Sequence, residues 1–177
     1  MIKIIMSIAL LFSINLLANA VHDHSSHGHS HQGTKEGTDA KIEAYAKACD
    51  EGDIKSCNNL AVLYDLGDVV KQDKKKAIKL YTKACNGGNK YSCNTLGNLY
   101  FKNDSSTQDR TKAIEFYTKA CNAGNNSSCN NLAIIYVRGD VVTQDKAKAK
   151  DLFRKACKGG SMGACDNYKR LNKSSRY

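Results

Sequence analysis

The chain contains no proline and no tryptophan, and aromatic residues make up only 7% of it. Without proline, no position is barred from continuing a helix by a fixed ring and a missing N–H. Histidine is absent after His31, so the rest of the chain holds no imidazole for catalysis or metal binding. No C-x-x-C pair occurs, which argues against thiolate metal sites. Beyond residue 17 no apolar run approaches the roughly 20 residues that cross a bilayer as a helix. Negative charge is in the minority: 17 Asp and Glu stand against 27 Lys and Arg, a formal charge of +10.

What is present begins at the N-terminus. Lys3 precedes an apolar run from Ile4 to Leu17, and Ala18-Asn19-Ala20 has the small-x-small pattern of a cleavage site. Residues 1–20 therefore read as a secretory signal peptide cut after Ala20, giving a periplasmic or secreted protein with no transmembrane span. The first cysteine is Cys49, too far from the cut for lipid anchoring there. Export also argues against nucleic acid as the partner of the basic surface. Anionic envelope or cell-surface polymers are the alternative to a merely solvated surface.

Eight cysteines in an exported chain suit disulfides. They fall at 49, 57, 85, 93, 121, 129, 157 and 165, so first and second members each recur every 36 residues. A fixed period of this size marks a solenoid, whose units bury their apolar faces against one another. The units are 39–74, 75–110, 111–146 and 147–177. Within them, Ala77, Leu80, Tyr81 and Ala84, matched by Ala113, Phe116, Tyr117 and Ala120, recur at helical spacing. Gly52, Gly88, Gly124 and Gly160 sit where a helix C-terminus takes left-handed backbone, each followed by an N-cap type, Asp53, Asn89, Asn125 or Ser161. Leu60, Leu63 and Tyr64, with their counterparts, mark a second helix. Asp73, Asp109 and Asp145 are N-cap candidates for the next first helix. On such an antiparallel hairpin the two cysteines face each other, which selects the pairs Cys49–Cys57, Cys85–Cys93, Cys121–Cys129 and Cys157–Cys165. Each closes a short loop and contributes about 2.6 kcal/mol on chain-entropy reasoning.

The phrases "DKKKAIKLYTKAC", "SCNTLGNLY" and "RGDVVTQDKAKAK" resemble Sel1-like repeats, relatives of the tetratricopeptide repeat. Paired cysteines where ordinary repeats carry alanine resemble the secreted, cysteine-rich Hcp branch. The resemblance covers residues 39–172 and implies an all-α, right-handed α/α superhelix of four hairpins with one disulfide each. It also implies β-lactamase activity, with penicillin-type compounds bound and β-lactams hydrolysed weakly. No S-x-x-K, S-D-N or K-T-G motif accompanies it, and no histidine cluster, so the catalytic residues are not identified. The alternative function is a non-catalytic scaffold of the cell envelope.

Three further features bear on binding. Lys47, Lys83, Lys119 and Lys155 form a ladder, one per repeat, on the polar side of the first helices. In a concave groove they suit an anionic, extended partner: a peptide, a protein or a cell-wall fragment. As a charge row on a solvated face they need no ligand. Asn58, Asn94 and Asn130 follow each second cysteine, accompanied by Asn59, Asn131 and Asn167 with Thr95 once. Asparagine is a poor helix former, so its repetition points to hairpin hydrogen bonding or to amide contacts with a bound peptide. Finally, His22, His24, His27, His29 and His31 crowd the tail 21–38, expected to lack fixed structure. Such exposed imidazoles coordinate Ni²⁺, Cu²⁺ or Zn²⁺, or else merely solubilise the tail. The repeats themselves call for no cofactor.

Overall fold

The computed structural model describes residues 32–102 and 105–174. The expected signal peptide, residues 1–20, and the five histidines lie outside the described residues. Eight helices succeed one another: α1 (Gln32–Asp50), α2 (Ile54–Leu66), α3 (Lys74–Asn86), α4 (Lys90–Tyr100), α5 (Thr107–Asn122), α6 (Asn126–Arg138), α7 (Lys146–Lys158) and α8 (Met162–Ser174). No strand occurs among the described residues. α1 reaches back past the repeat start expected at 39, so residues 32–38 of the expected tail are helical. Gly33 and Gly37 lower helix propensity there without forbidding it.

Local chemistry sets the hairpins. α1, α3, α5 and α7 end in a glycine with left-handed backbone, φ +99° at Gly52 and +90° at Gly88, where any β-carbon would be strained. The next residue caps the following helix: Asp53 accepts from the Lys55 and Ser56 amides, and Asn89 from those of Tyr91 and Ser92. The Ser56 hydroxyl also donates to Asp53 and, with these amides, holds its carboxyl below the usual range. The longer connections after α2 and α6 share one design. Gly67 and Gly139 close the helix at positive φ, and the Asp73 and Asp145 amides donate back to the carbonyls of Tyr64 and Tyr136. The connection after α4 departs from it. Ser106, not Asp109, is the N-cap of α5, and Asp109 in the first turn accepts from the Ser106 hydroxyl. Both residues are N-cap types three apart, and the earlier one wins because this pairing satisfies two groups at once.

All four disulfides form within their hairpins, with Cα–Cα distances of 4.6 to 4.7 Å. The core between helices combines small, aromatic and aliphatic residues, with Ala77, Ala84, Ala113, Ala120, Ala149 and Ala156 fully buried beside Tyr81, Tyr117 and Phe153 and beside Leu60, Leu96, Leu132 and Ile135. Packing runs between sequence neighbours, and α4 also touches α6 directly. The most extensive pairs are α2–α3, α4–α5 and α6–α7, whereas the helices joined by a bridge share less surface.

Candidate ligand-binding face

The second helices, α2, α4, α6 and α8, are tied into a row by their side chains. In α4 the buried positions are Ser92, Cys93, Leu96 and Gly97, matched in α6 by Ser128, Cys129, Leu132 and Ala133. The Ser92 hydroxyl donates to Asn58 Oδ1 of the preceding second helix at 2.7 Å, and Ser128 does the same to Asn94 at 2.7 Å. One step on, Asn167 Nδ2 donates to Asn130 Oδ1 at 3.0 Å. The candidate residues Asn58, Asn94 and Asn130 thus receive hydrogen bonds from the next repeat. A helix tolerates asparagine at 58 and 94 because each Oδ1 satisfies a serine hydroxyl that burial would otherwise strand.

Two clefts open along this row. Between Phe101, at the C-terminal end of α4, and α6 lies one of about 230 Å³, lined also by Tyr117 of α5 and by Asn131, Ile134, Ile135 and Arg138 of α6. Between α6 and α8 lies a larger one of about 370 Å³, with Phe153 at its floor, Asn167 and Arg170 on one side and Ile134 and Arg138 on the other. The two are copies: Tyr117 and Phe153, Asn131 and Asn167, and Ile134 and Arg170 are each 36 positions apart. They differ in the ring they share: the Tyr117 hydroxyl at the first cleft donates to Asn98 Oδ1 at 2.8 Å. Burial pushes this phenol up to about 12, a hydrogen bond with Asn131 opposing the shift. Phe153 brings no hydroxyl. Arg138 and Arg170 are exposed, and neither forms an ion pair among the described residues.

The lysine ladder is distributed along the other row of helices, and its members differ in their contacts. Lys83 Nζ donates to the Cys49 carbonyl at 2.7 Å and lies 3.7 Å from the Asp50 carboxylate. Lys119 Nζ reaches Asn86 Oδ1 at 3.4 Å and borders a cleft of about 350 Å³ beside the Cys85–Cys93 bridge. Lys47 and Lys155 are exposed. Two of the four lysines therefore link one repeat to the previous one. Sequence reasoning missed Ile134, Arg138 and Arg170. For Ile134 and Arg170 a signal was available: the position held by Val62, Asn98, Ile134 and Arg170 changes chemical type in every copy. Among the described residues there is no group of three or more His, Cys, Asp and Glu able to hold a metal ion.

The Sel1 repeat model matches residues 54–89, 90–125 and 126–161, more than half of the chain. The chain belongs to the Sel1 repeat family. Similar solved structures include a protective antigen of uropathogenic Escherichia coli displaying an SLR fold. It is 32% identical with a TM-score of 0.67, over 73% of this chain and 28% of that one. A Sel1 repeat protein of Oxalobacter formigenes is 26% identical with a TM-score of 0.67, covering 73% and 97% of the two chains. Helicobacter pylori cysteine rich protein B is 28% identical with a TM-score of 0.56, covering 75% and 95%. This chain thus aligns with little more than a quarter of the first of these proteins and with nearly all of the other two. No curated protein sequence matches it.

Among Sel1 repeat proteins, the cysteine-rich type represented by the Helicobacter protein fits this chain, which carries a disulfide in each of four repeats. The Sel1 units begin one helix later than the cysteine hairpins and take in the extensively packed pairs α2–α3, α4–α5 and α6–α7. In that phase the bridges Cys85–Cys93 and Cys121–Cys129 join consecutive units. Sel1 repeat proteins are protein-interaction scaffolds, and this one is a cysteine-rich scaffold without a membrane-spanning helix among its described residues.

Proposed function

We propose that this Sel1 repeat protein is an exported, non-catalytic scaffold that holds an extended peptide segment of a partner along the α4–α6–α8 row. The observation that carries this reading is the duplicated cleft: the same apolar floor and asparagine wall recur one repeat apart. An extended chain also repeats its side chains and amides at regular intervals, so successive clefts suit successive parts of one peptide. Lys47 and Lys155, with whatever freedom Lys83 and Lys119 retain, lend the approach a favourable field for an acidic partner. Titrating isotope-labelled oxidised protein with a pool of unstructured 12-residue peptides tests this reading. Amide shifts are expected at Asn131, Ile134, Asn167 and Arg170. Shifts confined to Lys47, Lys83, Lys119 and Lys155 would move the site to the lysine row, and no shift at any peptide concentration would end the reading.

The β-lactamase activity implied by family resemblance is the second reading. Ser56 and Ser106 meet carboxylates, but within the N-terminal caps of α2 and α5, bonded to Asp53 and Asp109. Hydrolysis of a chromogenic β-lactam above a mock purification would support it. Metal buffering by His22, His24, His27, His29 and His31 is a separate proposal, expected to disappear when the tail is deleted.

A further inference from the structure

Resting on the peptide-scaffold reading, we infer that the α6–α8 cleft is the seat for a peptide's C-terminal residue, an apolar one with a free carboxylate. The argument starts from how this cleft departs from its copy. Where the Tyr117 hydroxyl is bonded to Asn98, the α6–α8 cleft has Phe153 and Ile134 at the matching positions, and Arg170 stands where the α4–α6 cleft has Ile134. Its floor is left to Phe153 and Leu171, with Ile134 and Val137 beside them, and its rim carries Arg138 and Arg170. Apolar floor and cationic rim thus share about 370 Å³, enough for one large side chain and its backbone ends.

Few ligands satisfy both features at once. An internal aspartate or glutamate meets the arginines but leaves the aromatic floor empty, and an internal leucine fills the floor but brings no charge. A terminal apolar residue carries side chain and carboxylate on one Cα, and guanidinium groups pair with carboxylates in the geometry that strengthens such contacts most. Asn167 adds direction. Its Nδ2 is engaged by Asn130, which leaves its Oδ1 to accept the amide N–H of the terminal residue. A fatty acid has the carboxylate and the apolar chain but no such N–H. The preceding residues then run toward the α4–α6 cleft, where the Asn131 side-chain amide can meet peptide backbone.

The test uses the oxidised full-length chain and a fluorescein-labelled peptide, Gly-Ser-Gly-Ser-Ala-Leu, as free acid and as C-terminal amide. Fluorescence anisotropy is expected to show the acid binding at least tenfold tighter than the amide. Arg138→Gln with Arg170→Gln should bring the acid down to the amide's affinity. Both arginines are exposed, and circular dichroism checks that the fold is unchanged. Ile134→Asn, which copies the α4 residue, should lower the advantage of terminal leucine over terminal serine at least threefold. Equal binding of acid and amide overturns the inference, as does a preference for the acid that survives loss of both arginines. Displacement by decanoate at lower concentration than by unlabelled acid peptide overturns it in favour of a fatty-acid ligand. If the peptide pool still shifts the α4–α6–α8 amides when acid and amide bind alike, the scaffold reading stands and only the terminal seat fails.

Discussion

Gly97 lies mid-way along α4, where a β-carbon would stand 2.5 Å from two ring atoms of Tyr117. The matching positions in the neighbouring second helices are Ala61 and Ala133, both fully buried, so only α4 lacks a β-carbon here. Gly97→Ala relieves a helix-propensity penalty of about 1 kcal/mol but overpacks the Tyr117 ring, a cost of about 1–3 kcal/mol, and it disturbs the bond from Tyr117 to Asn98. Overpacking wins: urea unfolding should show a net loss of about 1 kcal/mol. The same ring gives a pH signature. Burial raises Tyr81 and Tyr117 from 10 to about 12, with Asp65 adding to the shift at Tyr81. A phenol with a raised value keeps its proton in the folded state after the unfolded chain has lost it. Stability is therefore full below pH 10 and falls as pH rises toward 12. The slope of unfolding free energy over that window should shrink in the Tyr81→Phe, Tyr117→Phe double variant. Phe153 already occupies the fourth copy of this position, after Tyr45, Tyr81 and Tyr117, so the ring without its hydroxyl is compatible with the fold.

At the scale of helices, the polar links between successive second helices should show an asymmetry between partners. Ser92→Ala removes a buried donor and leaves Asn58, which is partly exposed to water. The expected loss is about 1 kcal/mol. Asn94→Leu instead strands the Ser128 hydroxyl, a fully buried group, and should cost about 1–3 kcal/mol. Thermal unfolding of the two variants compares them directly; equal losses would mean water reaches Ser128. These elements also show how far the sequence could be read. Helices, glycine turns, the Asp53, Asn89 and Asn125 caps and the disulfide pairing all follow from local chemistry, and a strict period made each visible four times or nearly so. The α5 cap was misplaced at Asp109 because two capping residues compete and only their mutual geometry decides. The candidate face was harder for a different reason. A repeat copies structural and ligand-binding residues alike, so Lys83 and Asn94 carried the same periodic signal whether they join repeats or touch a partner. The clefts are distinguished by the positions where the period breaks, at Phe153 and Arg170.

For the whole molecule, the bridges fall where packing is thinner: each covalently joins a pair of helices that shares less surface than the pairs between bridges. Taken singly a bridge contributes about 2.6 kcal/mol, and four approach the roughly 5–15 kcal/mol that holds an ordinary domain together. Full reduction should therefore abolish most of the helical circular dichroism near 25 °C, and reoxidation should restore it. A reduced protein that keeps its helicity and cooperative melt would show that packing alone suffices. The bridges nonetheless span only eight positions of sequence each, and no covalent link crosses the connections at 67–73 or 139–145. A single protease cut in either connection leaves pieces that separate in denaturant without any reductant. Oxidation thus guards each hairpin from within while the array as a whole stays divisible, able to be trimmed unit by unit.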